Sequence, residues 1–222
     1  MNYTYQYPHP AVTTDIVIFS VRDNKLQVLL IKRGQEPFKG SWALPGGFVR
    51  IDESVDECAK RELQEEAGLE DVYLEQLYTF GAIDRDPRER VISVAYYTLT
   101  PSAHLTPAAG TDADEVQWFS VENLPELAFD HTEVLRVARD RLAAKMEYST
   151  IGLQFMAEEF TLSQLQTVYE QATGKTLDKR NFRKWILSLD LIAETGKRFA
   201  AGAHRPAMLY RIKEPDRVEI IR

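Results

Sequence analysis

Two apolar runs near the start of the chain, Thr14–Phe19 (TDIVIF) and Leu26–Arg33 (LQVLLIKR), are rich in β-branched residues. The turn-forming Arg22-Asp23-Asn24-Lys25 separates them, which predicts a β-hairpin. A Gly- and Pro-punctuated loop, GSWALPGG, follows. Ser54 precedes Glu57 by three positions, a capping-box spacing, so a helix is predicted from near Ser54 to a stop at Gly68. Strands are predicted at VYLEQLYTFGA, RVISVAYYTL and EVQWFSV, and a helix over HTEVLRVARDRLAAKM (His131–Met146). Strands followed by helices in this way predict a mixed α/β (α+β) sheet with helices packed on it.

After Tyr148 the pattern changes. FTLSQLQTVYEQATGK reads as a helix with Thr161 or Ser163 as its N-cap and Gly174 as its stop. LDKRNFRKWILSLDLI reads as a second helix, and IAETGKRFAAGAHRPAMLYRI as a hairpin with a basic, glycine-bearing loop. There is no internal repeat, low-complexity segment or long linker. The boundary falls within about Glu147–Leu153, so the expected modules are residues 1–148 and 149–222.

The chain has 222 residues, enough for one medium and one small domain. Its charged fraction of 27% and hydrophobic fraction of 44% suit a globular protein and are too apolar for disorder. The longest apolar runs fall far short of the ~20 residues of a membrane span, and MNYTYQYPHP lacks the features of a secretory leader. A cytoplasmic protein with no membrane partner is expected. The single cysteine, Cys58, rules out an internal disulfide framework. Its neighbours point to helix packing rather than thiol chemistry.

Charge is segregated. Met1–Thr150 holds 15 basic and 25 acidic residues, a net of −10, and Ile151–Arg222 holds 12 and 9, a net of +3. Within Gly174–Arg211 there are 9 basic and 3 acidic residues, a net of +6. An acidic first module and a basic second one imply different partners.

The predicted acidic helix places Glu62, Glu65 and Glu66 at i, i+3 and i+4, on one face. Like charges at that spacing repel. A hard divalent cation, Mg²⁺ or Mn²⁺, would resolve the repulsion and reach substrate phosphates as well. Arg61 can pair with one acid, and Gly46-Gly47 allows a tight turn that presents a backbone carbonyl. Such a triplet is more often a solvated face, but its setting is specific. Gly47, Glu53, Arg61, Glu62, Leu63, Glu65, Glu66, Gly68 and Leu69 fit the pattern G-x5-E-x7-R-E-U-x-E-E-x-G-U, with U apolar. In these positions the chain resembles the Nudix superfamily.

That resemblance implies an α/β/α sandwich and a ligand built on a nucleoside diphosphate. It implies that Gly47, Glu62, Glu65 and Glu66 hold metal, with Glu53 and Arg61 completing the catalytic set and orienting it. Hydrolysis would proceed by water attack at a pyrophosphate phosphorus. A further acid from outside the box often serves in the family; Asp112, Asp114 and Glu115 are candidates. In GAIDRDPRERV, Arg85, Arg88 and Arg90 could clamp phosphate, or form only a charged turn.

In the basic tail, Phe182, Trp185, Ile186 and Leu189 share one helical arc, while Lys179, Arg180, Arg183 and Lys184 occupy another. An apolar side for packing and a basic side with Asn181 at its edge are the layout of a recognition helix. Lys197, Arg198, His204 and Arg205 would form a wing. A helical protein-interaction module is the plainer alternative. The Nudix pattern together with LPELAFDHTEVL, FTLSQLQTVYE, DKRNFRKWI and RPAMLYRI resembles the Nudix-related transcriptional regulators, from about Thr13 to Ile212. The resemblance implies a homodimer that binds operator DNA through a winged helix-turn-helix, tuned by ADP-ribose or a related effector. Many such regulators have lost box carboxylates; this chain keeps every one, so an ADP-ribose pyrophosphatase with a C-terminal module that does not bind DNA stands as the alternative.

Overall fold

The computed structural model describes residues 6–70, 72–102, 113–200, 206–215 and 218–221. The described residues form two compact units. The first holds the chain up to Phe19, then Val28–Thr98, and the chain again as far as Ala138. The second holds Ser20–Gln27, the residues that follow Thr98, and the chain from Arg139 onward.

A seven-stranded sheet contains β1 (Ala11–Arg22), β2 (Lys25–Arg33), β3 (Trp42–Ala43), β4 (Gly46–Phe48), β5 (Leu74–Phe80), β6 (Val91–Leu99) and β7 (Ala113–Ser120). The order is β3-β2-β1-β6-β5, with β4 paired to β1 and β7 to β2. The predicted hairpin is present, its turn made by Asp23 and Asn24, both at positive φ. β1 is buried without interruption from Thr13 to Ser20. Alternate residues of a strand face opposite ways, so unbroken burial means that both faces of the sheet are covered.

On one face, Ile16, Ile18, Leu29 and Tyr96 pack against Ala59, Leu63 and Ala67 of α1 (Val55–Ala67). That helix begins with the predicted capping box, Ser54 and Glu57 bonding each other's backbone, and ends at Gly68 in the left-handed region. A second helix, α2 (His131–Tyr148), buries Val134, Leu135, Ala138, Leu142 and Met146 along one stripe.

β3 and β4 lie inside the segment read as a loop; strands of two and three residues carry no periodicity to detect. β4 has the larger consequence. Thr14 pairs with Gly47 and Asp15 with Gly46, which draws the glycine turn onto β1. A Cβ on Gly46, at φ +152°, would stand 2.0 Å from the Thr14 carbonyl oxygen, so only glycine fits.

In the second unit a 3₁₀ turn (Ile151–Phe155), absent from the sequence expectation, precedes α3 (Leu162–Thr173). Thr161, of the two candidates, caps α3 in a reciprocal box with Gln164, and Gly174 ends it. The next helix, α4 (Lys179–Ser188), is shorter than the stretch read from the sequence. Asp178 caps it, and at its far end Asp190 takes a left-handed φ of 55° that turns the chain into the next strand. The predicted hairpin follows as β8 (Ile192–Phe199) and β9 (Ala207–Ile212), antiparallel, with a register shift between Glu194 and Arg198.

Candidate functional site

A cleft of about 480 Å³ in the first unit is walled by β1, β4 and α1, by the segment Arg85–Arg88, and by Phe129 and His131. The carboxylates Glu62, Glu65 and Glu66 all line it, as do Gly47 and Arg61. Gly47 is there because nothing larger fits. A Cβ at that position would lie 2.0 Å from Glu62 Oε1.

Arg61 organises the acids. Its Nε and Nη2 donate to the two oxygens of Glu53 at 2.9 and 2.7 Å, the bidentate geometry that suits guanidinium to carboxylate. Its Nη1 donates to Glu62 Oε1 at 2.6 Å and to Glu65 Oε2 at 3.1 Å. Glu66 faces the glycine turn and accepts the Gly46 N–H at 2.8 Å. These contacts move the carboxyls in opposite directions. The Arg61 guanidinium, with the Arg50 N–H, holds Glu53 down at about 2. Burial pushes Glu62 up despite its bond to Arg61. Cys58 packs under the helix with its thiol on Thr14 Oγ1 (3.3 Å), and burial raises it to about 11. It is a packing residue, as its neighbours suggested.

The three arginines expected to clamp phosphate have separate fates. Arg88 lines the cleft but is held bidentately by Asp86 at 3.0 and 2.7 Å. Arg85 also lines it, yet its side chain is only 4% exposed and is gripped by Asp130 and Asp15. Arg90 is not a lining residue: placed just before β6, it turns back to the Ala82 carbonyl at 2.8 Å.

Asp15 is the residue that sequence reasoning missed. A carboxylate inside TDIVIF falls on a buried strand, and a buried charge requires partners; that was the available signal. The partners are Arg85 Nη2 at 3.0 Å, Ser93 Oγ at 2.6 Å and His131 Nε2 at 3.5 Å. The Leu44 N–H donates to His131 Nδ1 at 2.9 Å, which places the ring proton on Nε2, toward Asp15. Burial pushes the Asp15 carboxyl up, but His131, Arg85 and Ser93 outweigh it and hold the group well below the usual range.

A carboxyl held below its unfolded pKa of about 3.9 stabilises the fold above that pH, and the contribution is lost as pH falls through the folded value. Urea stability of the first unit is therefore expected to decline as pH drops below about 4. Asp15→Asn should cost about 3 kcal/mol at pH 7, since it leaves a buried guanidinium short of one partner, and should flatten that acid limb. Wild-type and variant midpoints that move in parallel with pH would contradict this account.

In the second unit, α4 buries Phe182 and Ile186, and Trp185 packs edge-on to Tyr169 with centroids 5.3 Å apart. Lys179, Arg180, Asn181, Arg183 and Lys184 are exposed. The four cations among them form no ion pair with the described residues. Of the wing residues, Arg198 is exposed, and Lys197 donates to Glu159 at 2.7 Å. His204 and Arg205 lie outside the described residues.

Residues 11–138 match the NUDIX domain model, and residues 152–212 match the NrtR DNA-binding winged helix domain model. The chain is similar to the ADPR responsive transcriptional repressor NtrR of Acinetobacter baylyi, 39% identical over 215 residues, or 95% of this chain and 85% of that protein. The chain belongs to the NrtR-type Nudix family. Its Nudix part is also similar to the ADP-ribose pyrophosphatase of Methanocaldococcus jannaschii, 45% identical over 130 residues, covering 59% of this chain and 73% of that one. Shewanella oneidensis NrtR complexed with a 27mer DNA superposes with a TM-score of 0.80 at 35% identity, covering 92% of this chain and 94% of that chain. The Nudix domain of the same protein complexed with ADP ribose superposes at 0.57 and 35% identity, covering 64% and 94%.

The Nudix box suits a divalent cation in kind. Its donors are all oxygen, the kind a hard divalent cation prefers. Among the described residues, no three acids, cysteines or histidines are gathered to ligate one ion; the Arg61 guanidinium reaches both Glu62 and Glu65. Of the further acids considered from outside the box, Asp112 and the Asp114 side chain lie outside the described residues. Glu115 bonds Lys32 at 3.4 Å and does not line the cleft. No helix among the described residues is long and apolar enough to cross a membrane.

Proposed function

We propose that the chain is a transcriptional regulator of the cytoplasm. Residues 149–222 take operator DNA through α4 and the β8–β9 wing; residues 1–148 form a Nudix domain that binds ADP-ribose or a related nucleoside diphosphate. The observation that carries this reading is the exposed arc of Lys179, Arg180, Arg183 and Lys184, unpaired among the described residues, on a helix anchored by Phe182 and Ile186. Cations left without ion pairs among the described residues are suited to phosphates, and Asn181 at the edge of the arc would meet a base edge. Lys197 and Arg198 add two exposed cations on the wing, and the DNA contact expected of Arg205 from the sequence belongs to the same proposal. A homodimer would set two such helices on two half-sites. The effector acts by binding the DNA-competent and incompetent states with different affinity.

A second reading is favoured by the complete box: the same domain hydrolyses its ligand. Glu62, Glu65, Glu66 and the Gly47 backbone would hold Mg²⁺ or Mn²⁺, and Glu53 would position the set through Arg61. The ion would supply Lewis acidity to the diphosphate and lower the pKa of water.

One experiment addresses both. Random duplexes retained by the protein are selected and titrated with and without ADP-ribose, and ADP-ribose incubated with Mn²⁺ or Mg²⁺ is followed chromatographically. The expected result is a retained sequence whose affinity shifts with ADP-ribose. Failure to retain any duplex at low salt would sink the regulator reading. AMP with ribose 5-phosphate in the second assay would add a self-resetting signal.

A further inference from the structure

Five arginines line the cleft, and four of them are already answered by carboxylates. Arg61 holds Glu53, Glu62 and Glu65; Arg85 holds Asp15 and Asp130; Arg88 holds Asp86; Arg50 reaches Glu65 at 3.7 Å. Arg33, at the end of β2, is the exception among the described residues. Its Nε donates to the Pro37 carbonyl at 2.8 Å and its Nη2 to that of Gln35 at 3.4 Å. A guanidinium has five N–H donors, so three remain without a partner among the described residues. The group is half-buried and lies against the face of Phe129, 4.8 Å from the ring centroid.

A half-buried cation next to another cation is in an unfavourable place. Burial lowers the Arg33 pKa and the charge of Arg88 lowers it further, against the smaller opposing influence of Asp86, Glu66 and Glu36. The Arg88 guanidinium lies 5.8 Å from the same Phe129 ring. Phe129 is itself held at φ +54°, where a bulky L-residue is disfavoured. A strained aromatic that supports a guanidinium with no ion pair among the described residues is a costly arrangement unless a ligand makes use of it. An anion beside Arg33 would relieve both the repulsion and the unmet donors, and a phosphate offers the geometry a guanidinium fork matches.

We propose that Arg33 grips a phosphate of the cleft's ligand, with Phe129 as its positioning residue. This rests on the reading that the cleft takes a nucleoside diphosphate. It also shifts the phosphate contact from the arginines that the sequence singled out to one placed before the glycine loop. The carboxylates of α1 and Arg33 then line one cleft with opposite charges, and the anion is drawn to the cationic side.

Calorimetric titration of the full chain with inorganic pyrophosphate, ADP-ribose and adenosine tests the proposal. Arg33→Ala should weaken pyrophosphate and ADP-ribose at least tenfold while leaving any adenosine affinity within threefold. Arg33→Lys should fall between, keeping charge but losing the fork. Phe129→Leu should weaken pyrophosphate severalfold, and Phe129→Tyr, which keeps the ring, should restore it; pyrophosphate has no base to stack, so that readout isolates positioning. Should Arg33→Ala melt at a much lower temperature than wild type, Arg33→Gln decides instead. Wild-type affinity for pyrophosphate or ADP-ribose retained in these Arg33 variants would overturn the proposal and leave the nucleoside-diphosphate reading standing. Arg33-dependent binding of pyrophosphate without any response to ADP-ribose would uphold the grip and sink that nucleotide as ligand. A wild type that binds neither overturns both.

Discussion

Replacing Arg180 and Arg183 together by alanine should weaken operator binding roughly 100-fold or more, as two charge-assisted contacts to phosphate are lost. The salt dependence should change with it. Each phosphate contact contributes close to one unit to the slope of log K against log salt, so the double variant's slope should be shallower by about 2 per protomer. Both residues are exposed and without ion pairs among the described residues, and the apolar side of α4 rests on Phe182 and Ile186. The fold should therefore be untouched, and ADP-ribose affinity with it. Titrations at several salt concentrations, read by fluorescence anisotropy, make the measurement. An unchanged slope would place the DNA elsewhere on the chain.

If the cleft hydrolyses its ligand, Glu65→Gln and Glu66→Gln should each lower metal-dependent turnover roughly 10³-fold, the scale of a lost Lewis-acid contribution of several kcal/mol. Both changes are close to isosteric. In Glu66→Gln the new amide oxygen can still accept the Gly46 N–H that Glu66 accepts at 2.8 Å, and Glu65 is half-exposed, with Arg61 at 3.1 Å and Arg50 at 3.7 Å as its cationic neighbours. Melting temperatures should move little, so lost turnover would report chemistry and not unfolding. Product formation that survives both substitutions would remove the metal-site assignment.

The parts of this molecule that could be read from its sequence are those in which neighbours along the chain are neighbours in space. The capping boxes at Ser54 and Thr161, the acid face of α1 and the basic arc of α4 depend on separations of three or four residues. The box around Arg61 is nearly as local: Glu53 and Arg61 are eight residues apart, and one turn of α1 brings in Glu65. What escaped was assembled over long separations. Asp15, Ser93 and His131 meet because β1, β6 and the start of α2 converge, 78 residues separating the first two. No periodicity announces such a meeting. The sequence also could not reveal which arginines fold leaves unanswered. Arg85 looked available beside Arg88, yet it is spent on Asp130, 45 residues away, and on Asp15. Arg33 ends a strand and reads as an ordinary flanking charge until Phe129 is brought beneath it.

The position of Arg61 among Glu53, Glu62 and Glu65 has a consequence for when the protein can be made and used. A small zinc module is a disordered chain until its ion arrives. Here the acidic helix brings its own counter-ion through folding, and the repulsion between its acids is settled by a residue of the same helix. Folding of the first unit is therefore expected to proceed without a divalent ion, which would bind to a helix already formed.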